Sequence, residues 1–139
     1  MIEKAVISVV VLFFLVATDI EGQSKKTIRE KGISSITVNE YFIGEGMYEP
    51  VVESIKKFNE EGELMEIKEF NKKEEVKRWE KFVYDNDGNV VEQIFLNEKG
   101  RITETEKNLY SGKLRIEKQY YNKKGNLYKK KVYQYEYRQ

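Results

Sequence analysis

One short unit recurs along this chain and constrains its fold more than any other feature. The unit starts with an aromatic or aliphatic residue, followed by Asn or Asp, two polar residues, Gly, a polar residue and an aliphatic one. Full copies occupy residues 58–64, 84–90, 96–102 and 121–127, and a contracted copy occupies residues 109–114. A unit that returns at short, regular spacing predicts a repeated supersecondary structure.

The glycine of each unit predicts a turn. Gly reaches positive φ without a Cβ clash, and an Asn or Asp three residues earlier can bond the backbone through its side chain. The predicted turn glycines are Gly62, Gly88, Gly100, Gly112 and Gly125. The segments between them are rich in Val, Ile, Tyr, Thr and Phe, which is typical of strands.

The spacing of the turns predicts the fold class. A repeat of about 12–14 residues has room for one strand but none for a crossover helix, so sequential strands must be antiparallel neighbours. The sequence therefore predicts an all-β chain, an antiparallel meander of about eight strands. We expect a thin sheet, twisted or partly rolled, with a modest core on one face.

The unit also resembles known repeats. The copies that begin at Tyr84-Asp85 and at Leu96-Asn97 resemble the YD repeats of Rhs-type and teneurin-type proteins, whose pattern is Tyr-Asp, two variable residues, Gly, Arg or Asn, then Leu or Ile. Only the Tyr84 copy keeps the full Tyr-Asp. The chain is also similar to the MORN-like repeats of small bacterial proteins. Both resemblances imply stacked β-hairpins over residues 58–137 and say more about fold than about role.

The first 22 residues predict a secretory signal peptide. Lys4 gives a charged start, residues 5–17 are apolar except for Ser8, and Gly22 is a small residue at a plausible cleavage site. The apolar run is shorter than the about 20 residues of a membrane-spanning helix. An uncleaved anchor and a buried strand are the alternatives. We expect export to the periplasm or the extracellular space, with no stable membrane insertion after cleavage.

Residues 23–139 are predicted to form a single β-repeat domain. Residues 23–32 are polar and predict a loose N-terminal arm, residues 33–43 suggest a first strand, and Pro50 suits the start of the next. Residues 71–83 allow two interpretations. Asn71 and Glu74 fit a helix start with apolar residues at helical spacing behind it. The same segment also aligns with the repeat, with Glu74 at the Gly position, and this favours a degenerate turn and a strand.

The residue types that are missing bear on catalysis. The chain has no His and no Cys, so His-based acid–base catalysis, thiolate nucleophiles, Cys/His zinc sites and disulfides are excluded. Carboxylates are abundant but none has a distinctive context. Asp85, Asp87 and their Asn neighbours resemble a calcium loop but lack its terminal acidic residue, and a plain turn accounts for them. We expect no enzyme activity, no cofactor and no metal.

The C-terminal region predicts a binding surface in which aromatic and basic residues alternate. Its candidate residues are Tyr128, Lys129, Lys131, Tyr133, Tyr135 and Tyr137, the three last tyrosines sharing one face of the final strand. Exposed tyrosines beside cations can stack on sugars or bases, although cross-strand tyrosine pairs account for them equally well. A net charge of +1 argues against nucleic acid, so a protein or a glycan is the expected partner. Arg115, by simple alternation, is predicted to face away from Tyr120.

Charge is divided along the chain. Residues 40–75 have eleven acidic residues against five lysines, and residues 113–139 have nine Lys or Arg against two Glu. This distribution favours an anionic partner, or it simply keeps the sheet edge from aggregating. We expect a non-catalytic exported β-repeat protein that acts as a binding or structural surface module. The alternative is an immunity-type protein that binds and neutralises a toxin, as the repeat resemblance and the charge asymmetry suggest.

Overall fold

The fold is one open antiparallel sheet with a short helix before it. The computed structural model describes residues 24–44, 46 and 49–139. Its elements are α1 (Lys25–Lys31), β1 (Ser35–Glu40), β2 (Val51–Phe58), β3 (Leu64–Phe70), β4 (Val76–Tyr84), β5 (Val90–Leu96), β6 (Ile102–Ser111), β7 (Leu114–Asn122) and β8 (Leu127–Val132). The strand order is β1 to β8 without a crossover. The predicted eight-stranded meander is confirmed.

Five of the turns share one hydrogen-bond pattern, which explains the polar part of the repeat. They begin at Asn59, Asn71, Asp85, Asn97 and Asn122. In each turn this residue donates its N–H to the carbonyl four positions later and accepts at its own carbonyl from the N–H three positions later, with N···O distances of 2.9–3.1 Å. Its side-chain Oδ1 also accepts from the N–H four positions later, at 2.9–3.1 Å.

The apolar part of the repeat is a cross-strand pair. In the four full copies and in the copy with Glu74, the first and last residues of the unit lie directly opposite each other in neighbouring strands. These pairs are Phe58 with Leu64, Phe70 with Val76, Tyr84 with Val90, Leu96 with Ile102, and Tyr121 with Leu127. Directly opposed apolar side chains stabilise an antiparallel ladder. Immediately beyond each pair the register shifts by a β-bulge.

In each turn of the repeat, the residue with a left-handed backbone conformation is the one at the Gly position. The five predicted turn glycines have φ between 59° and 80°. In the turn after β3 the same position is held by Glu74, with φ of 61°, the only non-glycine residue with positive φ in the described part of the chain. Because this turn leads directly into β4, the prediction of a degenerate turn and a strand over residues 71–83 is confirmed, and the helical alternative is wrong.

The N-terminal arm differs from expectation. Residues 25–31 are not loose but form α1, which begins at Ser24, whose side chain accepts from the N–H of Thr27 at 3.1 Å. The helix ends at Gly32, which has φ of 64°. Ile28 is fully buried, and the backbone of α1 lies against the β2–β3 turn. The prediction of a loose arm was wrong because these two caps and one buried side chain order the segment. The expected signal peptide, residues 1–22, lies outside the described residues.

The first and last strands are shorter than expected. The strand expected over residues 33–43 covers only β1, and the final strand ends at Val132 rather than continuing to Tyr137. The N–H of Tyr133 still donates to the carbonyl of Ile116 at 3.0 Å. Val132 pairs with Glu117, and β7 begins only three residues before Glu117, at Leu114. Little of β7 is therefore left to pair with a longer β8.

The core lies on one face of the sheet, here called the inner face. Its buried residues, all related by direct pairing or by alternation, are Ser54, Phe58, Ile67, Glu80, Phe82, Glu106, Asn108 and Tyr120. No second layer of strands covers this face in the described part of the chain, so its side chains bury one another across neighbouring strands. The modest one-sided core is what a thin meander was expected to have.

Candidate functional site

Three of the predicted aromatic and basic residues, Tyr128, Lys129 and Lys131, come together on the inner face at the last two strands. Tyr120 lies directly opposite Lys129, and Lys118 lies opposite Lys131. Since cross-strand partners share a face, Lys129 and Lys131 of β8 lie on the inner face with Tyr120. The ring of Tyr128 is 6.4 Å from that of Tyr120. We call these five residues the Tyr–Lys stripe.

Three ammonium groups surround one ring in the stripe. The Nζ atoms of Lys129, Lys118 and Lys131 lie 3.9, 5.1 and 5.7 Å from the ring centroid of Tyr120. Cations at such distances over an aromatic ring are attracted to it, by about 0.5–1 kcal/mol where solvent is near. Tyr120 is buried, whereas Tyr128 is 52% exposed. The stripe therefore combines a buried aromatic base with an exposed aromatic and concentrated positive charge.

The carboxylates next to the stripe are already engaged. Glu106 forms a salt bridge with Lys118 at 2.5 Å. Glu104 accepts a hydrogen bond from the hydroxyl of Tyr128 at 2.5 Å, and this bond raises the pKa of Tyr128 to about 12. The phenol therefore stays protonated and acts as a donor at neutral pH.

Two lysines of the stripe keep their charge available. In the part of the chain that the structure describes, neither Lys129 nor Lys131 has a carboxylate oxygen within 4.0 Å. Lys130, between them, alternates to the other face and lies 3.9 Å from Glu117. The two inner-face ammonium groups of β8 are thus free to meet an external anion.

Arg115 extends the positive charge along β7. Its guanidinium lies 4.8 Å from the ring centroid of Tyr133 and 3.5 Å from Oδ1 of Asn108 on the inner face. Its Nε is buried without a hydrogen-bond partner among the described residues. The sequence missed this residue because simple alternation directs it away from Tyr120. The register shift after Leu109 pairs Arg115 with Tyr110 instead and turns it to the inner face.

The predicted site residues divide into two groups. Tyr128, Lys129 and Lys131 lie together in the stripe, whereas Tyr133 lies beside Arg115, outside the stripe. Tyr135 donates its hydroxyl to the carbonyl of Arg115 at 2.6 Å. Tyr137 is 76% exposed and makes none of these contacts. The common strand face predicted for the last three tyrosines does not form, since β8 ends before them.

The other chemical candidates have local structural roles. The carboxylate of Asp85 accepts hydrogen bonds from the N–H groups of Asp87 and Asn89, both at 2.9 Å, so its oxygens hold the turn. Within residues 24–44, 46 and 49–139, no three acidic residues are grouped as metal ligands would be. The described helix α1 is too short to cross a membrane.

Comparisons of the chain with protein-family models, with curated proteins and with solved structures gave no match. The resemblance to YD and MORN-like repeats therefore remains an interpretation of the repeat unit. The structure defines the chain as an open β-meander with a cationic and aromatic edge.

Proposed function

We propose that this chain is a non-catalytic, exported β-repeat protein that binds its ligand through the Tyr–Lys stripe. The observation that carries the proposal is the pair Lys129 and Lys131, held beside tyrosine rings with no carboxylate within 4.0 Å in the described part of the chain. Ammonium groups that face solvent next to an exposed aromatic ring suit a ligand that is anionic and also has a flat or apolar surface.

The chemistry of the stripe supports binding rather than catalysis. The sequence has no His and no Cys, and the stripe offers ammonium groups and phenols. The raised pKa of Tyr128 makes its hydroxyl a poor base or nucleophile at neutral pH. What these groups do well is hold an anion and pack against a ring.

A paired set of variants tests the proposal. Wild-type protein, Lys129→Ala/Lys131→Ala and the control Lys123→Ala/Lys124→Ala are applied to arrays of oligosaccharides and of peptides. Both variants remove two charges from exposed lysines, since Lys123 and Lys124 lie in the β7–β8 turn. We expect the array signals of the wild type to disappear with the first variant and to persist with the second. Equal loss in both would contradict a site at the stripe.

A second candidate function is that of an immunity-type protein that binds and neutralises a toxin. The unpaired edge of β8 favours it, because a protein partner can pair with the backbone groups of an edge strand and a glycan cannot. A toxin gene next to the gene for this chain, with a product that forms a complex with it, is the expected observation. A neighbourhood of glycan-utilisation genes without a toxin would count against this candidate.

A further inference from the structure

We propose that β8 takes an extended, acidic polypeptide segment as a ninth strand, with carboxylates of that segment against Lys129 and Lys131. This inference rests on the proposed function and deepens it, because it names the chemical class of the ligand. Two separate features of the last strand carry it, namely its unpaired backbone edge and its pattern of charge.

Within the described residues, the backbone edge of β8 is open on the side away from β7. Strand β8 is the last of the sheet and pairs there only with β7, and all six of its residues are exposed. Every second residue of an edge strand has its N–H and C=O directed away from the sheet. The tail after Val132 does not satisfy these groups, since Tyr133 and Tyr135 form their hydrogen bonds with carbonyls of β7.

The charge pattern of β8 has the period of a strand. Lys129 and Lys131 lie on the inner face, and Lys130 lies on the other face beside Glu117. A strand added alongside would place alternate side chains opposite the two inner-face lysines. Opposite charges stabilise such directly opposed pairs, and like charges destabilise them. The occupant is therefore expected to have Asp or Glu at alternate positions.

The same pattern disfavours a second copy of this chain. Two β8 strands side by side would oppose lysine to lysine. The other edge strand, β1, contains Glu40 as its only acidic residue, so it offers no alternating carboxylates. A segment of a different protein fits better.

A polypeptide also fits better than an acidic glycan. Both would meet the ammonium groups of Lys129 and Lys131, and both would find the exposed ring of Tyr128. Only a polypeptide supplies the alternating N–H and C=O groups that an open ladder edge can bind. Backbone pairing and charge pairing then act over the six residues of β8.

Four synthetic peptides test the ligand class. The first is about eight residues long, matched to the length of a typical strand, with Glu at alternate positions and Thr or Val between them. The second replaces each Glu with Gln. The third and fourth keep Glu but have N-methyl groups on alternate amides, one peptide in each phase. Binding is measured by calorimetry at low and at high salt.

We expect the acidic peptide to bind. Its affinity should fall as the salt concentration rises, because salt screens charge pairs at a surface. The Gln peptide should bind at least about tenfold more weakly, because it lacks the charges that oppose the lysines. One N-methylated peptide should fail to bind and the other should bind, because only one phase blocks the amides that face β8. No binding of the acidic peptide, or equal binding in both phases, would overturn the proposal.

Charge-reversal variants locate the contact. Lys129→Glu/Lys131→Glu is compared with Lys123→Glu/Lys124→Glu, which changes the net charge equally in the adjacent turn, and circular dichroism checks that both variants fold. We expect the first pair of substitutions to weaken binding of the acidic peptide by about tenfold or more, and the second pair to weaken it by about twofold or less. Equal weakening by both would refute strand pairing at β8.

Polygalacturonate, an acidic polysaccharide, is used as a second probe. Its binding shows whether a negative result with the peptide contradicts only the ninth strand or also the proposed function. If it binds in a manner that depends on Lys129 and Lys131 while the acidic peptide does not bind, the ninth-strand proposal is wrong and the stripe remains a binding site. If neither probe binds in a way that depends on these lysines, both proposals are wrong.

Discussion

Single residues matter most at the left-handed position of the turns. Four of the five turns with the shared hydrogen-bond pattern have Gly there, and the turn after β3 has Glu74. A non-glycine residue in this region has its Cβ close to the following carbonyl, which costs about 1–2 kcal/mol. Glu74 is held there by the turn, because Asn71 Oδ1 accepts from the N–H groups of Lys73 and Glu75 on either side.

The first prediction is that Glu74→Gly stabilises the protein. A non-glycine residue is strained in the left-handed conformation, and Gly removes this strain. The stability gained in this way should exceed the stability lost because Gly raises the entropy of the unfolded chain, so the free energy of unfolding should rise by about 0.5–1 kcal/mol. Lys73→Gly is the control, since Lys73 is exposed and its φ is not positive. That variant should lose about 0.5–1 kcal/mol. Urea unfolding midpoints measure both, and a loss of stability in Glu74→Gly would contradict the turn geometry.

The second prediction separates conformation from space at two glycines. Gly62 and Gly125 have nearly equal φ, 79° and 80°, but a Cβ on Gly62 would lie 2.5 Å from the carbonyl oxygen of Lys25, while one on Gly125 meets nothing within 4 Å. Gly125→Ala should cost about 1 kcal/mol from φ alone. Gly62→Ala should cost about 1–3 kcal/mol more, because backbone must move. Equal urea midpoints would mean that α1 does not rest on this turn in solution.

At the scale of elements, the strands were predictable from sequence and the helix was not. The Asn or Asp, the Gly and the flanking apolar pair specify each hairpin locally, so even the copy with Glu74 was found. Helix α1 buries only Ile28, and seven residues with one apolar anchor have no periodic stripe. Ser24 and Gly32 were the available signals, since they are typical N-cap and C-cap residues.

The candidate site was predictable only where it follows local alternation. Tyr128, Lys129 and Lys131 are close in sequence and lie on one strand, so their spacing indicates a common surface. Arg115 was missed because a β-bulge in β7 reverses the alternation, and the sequence does not mark where the bulge falls. The partners Glu104 and Glu106 come from β6, so only the register of the sheet reveals them.

The third prediction concerns pH and the contact between β3 and β4. Burial alone would raise the pKa of Glu66, but hydrogen bonds from Trp79 at 2.8 Å and Lys57 at 3.2 Å outweigh it and lower the pKa below 4.5. The unfolded chain therefore binds more protons as the pH falls below about 4.5. The stability that the charged Glu66 contributes is therefore fully present above that pH. It is lost as the pH falls through the lowered pKa of Glu66 in the folded protein.

The variant Trp79→Phe removes one of these donors. The difference in unfolding free energy between wild type and variant should be largest at neutral pH and should shrink as the pH falls from about 5 to 3. Urea unfolding at a series of pH values measures it. A difference that stays constant over this range would show that the Trp79–Glu66 bond is not coupled to the charge of Glu66.

At the scale of the whole molecule, the fourth prediction concerns export. The proposed function places this protein outside the cytoplasm, on the basis of the N-terminal apolar run. Expressed in a bacterium with its native N-terminus, the chain should lose about 22 residues, which intact-mass measurement detects. A soluble cytoplasmic product that still begins at Met1 would contradict export and leave the β-repeat fold unaffected.

The last prediction follows from the one-dimensional order of the sheet. Each strand forms its backbone ladder only with its neighbours in sequence, and such structures have stabilities that vary along the chain. The buried Ile67, Glu80 and Phe82 lie in β3 and β4, whereas every residue of β8 is exposed.

Native-state hydrogen exchange should therefore show a gradient, with β8 opening first and β3 and β4 last. The comparison must use only amides that donate across a ladder, because the outward N–H groups of an edge strand exchange at any stability. The acidic peptide of the ninth-strand proposal should slow exchange in β8 and change β4 little. Equal protection in β4 and β8 without peptide would mean that the sheet opens in one cooperative step despite its open edge.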